Sequence, residues 1–295
     1  MNSIIKFLLD QPPRQLYYFL RDKLKKSKPL QEFNNQFPCI FVLSTGRVGT
    51  ETLDALLGLS EHIFSYHEPA PTLYKLSKLS YQYANEPLAQ EILQQAFLTS
   101  RIDLLKHSLK CQRGYVETSP QVTFLAPIIL EAIPNARFIH LTRNPYSVVR
   151  SGMRRNWFNG HPNDETRIIP NPSSHHAIQW KGYTPFQKNA WLWSETNRWI
   201  LEFSSKIPSK DILMLHSEDV FSMKQDTMKK LYNFVGTSLP ATYKIKKVIQ
   251  KKMNVQKTGE FPGSKLWSPE QKVELMNLTS EIAKKMGYDL SRDNE

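Results

Sequence analysis

The fifteen residues from Cys39 to Leu53, CIFVLSTGRVGTETL, constrain this chain more than any other stretch. The run Ile40 to Leu43 is apolar and rich in branched and aromatic side chains, which predicts a strand buried on both faces, and a helical pattern restarts at Thr50. A strand that turns directly into a helix needs a crossover before its next partner, and crossovers build parallel sheets covered by helices. Ligands of such sheets bind beyond the carboxyl ends of the strands, where the segment S-T-G-R-V-G-T lies. Gly46 and Gly49 let the backbone bend and approach an anion with no Cβ in the way, and the first-turn N–H groups of the helix point at it. Thr45 and Thr50 add hydroxyls, Arg47 adds a fixed charge, and Val48 completes the loop, so residues 45–50 predict a seat for phosphate or a similar oxyanion. The loop lacks the G-x-x-x-x-G-K-[ST] form, with its magnesium-holding hydroxyl after a lysine, which argues against a metal-dependent triphosphatase.

The alternation continues along the chain. Strands are predicted at Ile40 to Leu43, Ile63 to Tyr66, Tyr115 to Glu117, Arg137 to Leu141 and Asp211 to Leu215, with helices opening near Thr50, Thr72, Pro87, Gln121, Pro145, Phe186, Met223, Pro240 and Ser268. The fold class expected is α/β, a three-layer sandwich around a central parallel sheet. Residues 156–185 form a long proline-rich irregular stretch, read either as a lid over substrate or as a variable surface insertion. The domain organisation expected is a helical arm over residues 1–37 and a single domain over 38–295.

Charge narrows the partners. The 39 lysines and arginines exceed the 27 acidic residues by 12, a balance that favours an anionic ligand. No run approaches the roughly 18 uncharged apolar residues of a membrane span. The first 28 residues mix apolar positions with Lys6, Arg14, Arg21, Lys23, Lys25 and Lys26, and read as an arm packed on the domain or as a peripheral anchor for anionic lipid. The two cysteines, Cys39 and Cys111, make no metal or disulfide pattern and suit a reducing, cytoplasmic setting.

A second stretch, ARFIHLTRNPYSVVRSGMRR (residues 136–155), repeats the chemistry of the first. Arg143 stands at a strand's carboxyl edge, Pro145 opens a helix and Ser151 lies about two turns along it. A forked guanidinium and a hydroxyl make a second anion site on the same sheet edge, and two such sites suggest one doubly phosphorylated ligand.

With both sites in place the sequence resembles the sulfotransferase superfamily that uses 3′-phosphoadenosine-5′-phosphosulfate. Arg47, Val48, Gly49 and Thr50 match its [KR]-x-G-T loop for the 5′-phosphate, and Arg143, Asn144, Pro145 and Ser151 match its R-N-P-x5-S motif for the 3′-phosphate. YVETSP (residues 115–120) is similar to its D-K-S-P segment, MLHSEDVF (residues 214–221) to its Y-E-D-L segment, and QKTGEF (residues 256–261) to its K-x-G cofactor loop. The resemblance, from about residue 38 to 290, implies a P-loop-like nucleotide-binding fold and transfer of a sulfuryl group to a hydroxyl or amine. It also implies adenosine 3′,5′-bisphosphate as the second product, no metal, and cofactor contacts extending to Lys257 and Gly259. Arg47 is then the group that stabilises charge on the leaving phosphate. In FSYHEPAP, Glu68 is the first choice for the base that deprotonates the acceptor and His67 the second.

The sequence departs from the family pattern at three places. Glu51 replaces the second Thr of K-x-G-T-T, Thr52 and Leu53 stand where some members carry an adenine-contacting Trp, and Glu117-Thr118 replaces Asp-Lys. His175-His176 lacks the neighbours of a metal site, the lysines between 244 and 252 read as a solvated face, and the tryptophans from 180 to 199 read mostly as core. The acceptor expected is a small molecule, sugar or lipid, with no nucleic acid partner. The alternative reading is a non-catalytic polyanion- or membrane-surface-binding protein on a degenerate nucleotide-binding fold.

Overall fold

The computed structural model describes residues 28–251 and 259–291. Residues 1–27 of the arm expected over residues 1–37, and Lys257, lie outside the described residues. Five parallel strands, β1 (Cys39–Leu43), β2 (Ile63–Tyr66), β3 (Gly114–Glu117), β4 (Ala136–Thr142) and β5 (Ile212–His216), form one sheet in the order β2-β3-β1-β4-β5. Every predicted strand is present to within a residue at each end. Side chains alternate between the faces, so Ile40 and Val42 of β1 enter one core while Cys39, Phe41 and Leu43 enter the other. Both faces are buried, which is why β1 reads as a continuous apolar run and not as an alternating one.

The helices are α1 (Thr50–Leu57), α2 (Tyr74–Gln82), α3 (Pro87–Lys110), α4 (Ala126–Ala132), α5 (Pro145–Met153) and α6 (His175–Gln179). They continue with α7 (Pro185–Ser204), α8 (Ser217–Phe221), α9 (Gln225–Val235), α10 (Thr242–Gln250) and α11 (Pro269–Lys285). Local signals explain several starts. Thr184 with Gln187 and Ser268 with Gln271 close capping boxes ahead of α7 and α11, each with a proline in the first turn. Asn144 caps α5 by accepting from the Tyr146 N–H at 2.9 Å. The helix expected near Gln121 is instead a 3-10 turn, Pro120–Leu125, that leads into α4. The short α6 and α8 have no counterpart among the expected helices; five residues are too few to carry a periodic pattern.

Helix α7 packs against α5 and α11 over one face of the sheet, and α3 lies across the other. Each buried large apolar side chain, such as Phe41, Phe97 or Phe138, contributes about 2 kcal/mol through removal from water. One ion pair is sealed inside. The Arg101 guanidinium on α3 forks onto Glu117 at the end of β3, at 2.8 and 2.9 Å, both side chains are fully buried, and the Tyr115 hydroxyl donates to the same carboxylate at 2.7 Å. Glu117, which stands in place of the family's Asp, is therefore held by the fold and does not face a ligand. Among the described residues no helix is long and apolar enough to cross a membrane.

Candidate functional site

The carboxyl ends of β1 and β4, adjacent in the sheet, carry the two predicted anion motifs. After β1 the chain turns through Gly46, Arg47 and Gly49, all at positive φ (75°, 60° and 94°), and enters α1 with no side chain capping it. The first-turn amides of α1 are thereby left for an external acceptor. Gly49 is obligatory on two counts: its φ is left-handed, and a Cβ there would run into the Phe221 ring. The loop is anchored from below by Thr123, whose hydroxyl accepts from the Ser44 N–H at 2.9 Å and donates to the Ser44 carbonyl at 3.0 Å. Val48 is buried in the core, so its part in the loop is its backbone. Thr45 and Thr50 stand with Gly46 and Arg47 in the wall of a cleft of about 340 Å³.

Arg143, Asn144 and Pro145 follow β4, and α5 presents Ser151 to the same corner. The Arg47 Nε donates to Ser151 Oγ at 3.1 Å, across 104 residues of sequence, and the Arg143 Nη1 donates to the Arg47 carbonyl at 3.4 Å. The Arg143 guanidinium lies 5.9 Å from the centre of the Phe221 ring, the ring that also covers Gly49. The Ser217 hydroxyl, in the HSED segment, shares its one proton between the carbonyls of Thr142 and Val48, both within hydrogen-bond distance, and so ties the two motifs together. Among the described residues neither Arg47 nor Arg143 has a carboxylate within ion-pair distance. Burial, together with the neighbouring Arg155 and Arg143 charges, pushes the Arg47 guanidinium down to about 10. Arg47 remains a cation at neutral pH, in a corner where the Arg143 and Arg155 charges add to its own. Glu51, the departure from K-x-G-T-T, acts on Arg47 in the opposite sense and favours its charged form.

His67 and Glu68 follow β2 and line the same cleft. The His67 Nδ1 lies 3.0 Å from the Thr118 carbonyl, which can only accept, so Nδ1 carries a proton and is the donor. Glu68 has φ 45°, a conformation rare for a residue with a side chain, and its Oε2 accepts from the Tyr74 hydroxyl at 3.1 Å. Gly259, at φ 83°, packs against the end of α5, where its carbonyl accepts from Arg154 Nε at 3.2 Å and a Cβ would strike the Arg154 carbonyl. The late loop therefore reaches the helix that carries Ser151.

Several cleft residues escape the sequence reading. Tyr74 and Lys78 come from α2, Gln121 from the 3-10 turn after β3, and Trp157, His161 and Arg167 from the irregular stretch, which forms one wall. That wall is internally tied: Arg167 donates to Asp164 at 2.9 Å and stacks 4.0 Å over Trp157, while the Asp164 carboxylate also accepts the N–H groups of Phe158 and His161. The Lys78 ammonium donates to the Glu165 carbonyl at 2.7 Å and joins the wall to α2. Arg155 had a legible signal, since it stands four residues after Ser151, just past the end of α5; the others had none. Phe124, Trp157, Ile168 and Leu192 supply an apolar floor beneath the polar groups. His176 is occupied by the Tyr183 hydroxyl at 2.9 Å, and among the described residues no group of three His, Cys, Asp or Glu side chains is placed to hold a metal ion.

Residues 38–241, more than two thirds of the chain, match the sulfotransferase family. No curated protein sequence matches the chain. Among solved structures the chain is similar to a sulfotransferase from Mycobacterium tuberculosis H37Rv at 14% identity and TM-score 0.50, covering 89% of this chain and 83% of the other. It is similar to a sulfotransferase from Alicyclobacillus acidocaldarius at 14% identity and TM-score 0.50, covering 88% and 99%. A sulfotransferase from Mycobacterium avium gives 13% identity and TM-score 0.50, covering 92% and 82%. At these identities the three structures bear on the fold, which they share.

Proposed function

The chain belongs to the sulfotransferase family, and from that premise we infer that it transfers a sulfuryl group from 3′-phosphoadenosine-5′-phosphosulfate to a hydroxyl or amine of a small-molecule, sugar or lipid acceptor. The observation that carries the reading is the Arg47 to Ser151 hydrogen bond, which unites two separate anion motifs over the uncapped start of α1. The donor set fits the nucleotide: backbone amides and Arg47 suit the 5′-phosphate, Arg143 and Ser151 suit the 3′-phosphate, and the cradle at Gly49 admits no side chain. Gly259, beside the end of α5, adds to these contacts; Lys257, which the resemblance assigns to the same cofactor loop, lies outside the described residues.

When bound, the nucleotide supplies an activated sulfuryl group whose in-line transfer to the acceptor leaves adenosine 3′,5′-bisphosphate. The chain's own residues position and neutralise. Arg47, held by Ser151 and facing no carboxylate partner, meets negative charge as it grows on the leaving phosphate side. Glu68 takes the proton of the acceptor, and the wall of residues 156–185 covers the acceptor and excludes water. A floor of aromatic and aliphatic groups under many polar ones suits a hydroxylated acceptor with an apolar face. A second reading places the base at His67, favoured by the carbonyl that fixes its tautomer. Two free thiols, one buried and one exposed, support a reducing, cytoplasmic setting.

The test is calorimetric titration of adenosine 3′,5′-bisphosphate into the protein, in the presence of a chelator, with adenosine 5′-monophosphate as control. Binding that weakens at least about tenfold without the 3′-phosphate, and equally in Arg143→Ala, is the expected result. Binding indifferent to both changes would remove the nucleotide from the reading and leave a polyanion binder. Once an acceptor is found, comparison of Glu68→Gln with His67→Gln decides the base.

A further inference from the structure

The carboxylate that the proposed reaction needs is held by a neighbour. Tyr74, the first residue of α2, donates its hydroxyl to Glu68 Oε2 at 3.1 Å. Tyr74 is itself backed by Gln121, which is almost wholly buried in the turn after β3. The Gln121 Oε1 accepts from the Leu73 N–H, and this bond identifies the amide nitrogen as the other end. That nitrogen is buried and acts on the Tyr74 oxygen as a donor, opposing the rise that burial causes. Burial first, and the Glu68 carboxylate next, push the Tyr74 phenol above its usual range. Tyr74 therefore keeps its proton at neutral pH, and toward the Glu68 carboxylate it donates.

We propose that Tyr74 is a positioning residue whose hydroxyl, oriented by the Gln121 amide, holds the Glu68 carboxylate in one orientation and leaves its other oxygen to take the acceptor's proton. This rests on the reading of Glu68 as the base. The arrangement combines a left-handed backbone at Glu68, which aims the side chain, with a donor that holds one of its oxygens still. The other charged groups that bear on the pair are Arg47 from the loop after β1, which acts on Glu68, and Arg167 from the irregular stretch, which acts on Tyr74; His67 adjoins on the same loop. All three stay in place when the Tyr74 oxygen alone is removed.

The experiment labels the glutamate side-chain carboxyls with carbon-13, assigns the Glu68 signal by its absence in Glu68→Gln, and follows it by NMR across pH in the parent protein and in Tyr74→Phe. The phenylalanine keeps the ring, so melting temperature and affinity for adenosine 3′,5′-bisphosphate are expected to stay unchanged. The Glu68 signal is expected to titrate at higher pH in Tyr74→Phe than in the parent, because a carboxylate that loses a donor takes up a proton more readily. An unchanged or lower midpoint in Tyr74→Phe overturns the proposal. The titration needs neither nucleotide nor acceptor, so a parent protein that fails to bind adenosine 3′,5′-bisphosphate overturns the donor reading alone.

Discussion

Single side chains decide what the site can hold. The loop after β1 works as an anion seat only because Gly49 combines a left-handed φ with the absence of a Cβ beneath Phe221. In Gly49→Ala the added methyl must displace that ring and strain the backbone, at a cost of about 1–3 kcal/mol. The expected outcome is a lower urea midpoint and an affinity for adenosine 3′,5′-bisphosphate reduced more than tenfold, read by calorimetry; retention of the parent affinity would show that the cradle tolerates a side chain. The glycine and its flanking Arg47 and Thr50 were legible from sequence, since the turn needs those residue types whatever surrounds it. The role of Glu117 was not. A carboxylate in an apolar strand reads as a ligand or an oddity until Arg101, sixteen residues earlier on α3, is seen to fork onto it in the core.

Elements transmit these positions to one another. Helix α5 carries Ser151 and ends beside Arg155, and its placement depends on how closely it crosses α7. The contact is made at Gly152, where a Cβ would overlap the Asn189 side-chain oxygen. The Asn189 amide in turn donates to the Pro185 carbonyl at 2.8 Å and the Trp157 carbonyl at 3.2 Å, so the same crossing fixes the start of the cleft wall. Gly152→Ala is expected to destabilise the protein by about 1–3 kcal/mol and to weaken nucleotide binding, because the helix must lift to make room. Thermal unfolding and calorimetry read the two effects, and an unaltered melting temperature would mean that the crossing is loose. The starts of α5, α7 and α11 were legible because caps and first-turn prolines are local chemistry. The 3-10 turn at Pro120–Leu125 and the short α6 and α8 were not, since their backbone is set by what they pack against.

The molecule as a whole responds to acid through its core. His140 on β4 is completely buried, and its Nε2 donates to the Asn197 Oδ1 on α7 at 2.8 Å. Burial pushes its imidazole down to about 4, against an unfolded value near 6.5; the Asn197 hydrogen bond opposes this and the His216 charge adds to it. A depressed folded value means that His140 costs nothing above pH 6.5, whereas between 6.5 and 4 the unfolded chain alone gains the proton and stability falls by about 3 kcal/mol. Urea unfolding at pH 7 and pH 5 is expected to show about 2 kcal/mol of that loss, and His140→Gln to flatten it; equal slopes in the two proteins would refute the assignment. The sequence by itself determined the alternation of strands and helices, the two anion-binding motifs at strand ends, and the helix caps, because each depends on residue type and short-range spacing. Only the tertiary structure decided that Arg47 meets Ser151, that Tyr74 and Gln121 stand behind Glu68, and that residues 156–185 wall the cleft. The physical reason is the parallel sheet. Its order β2-β3-β1-β4-β5 brings together strand ends separated by long crossovers, and which side chains then touch depends on packing that no local pattern records.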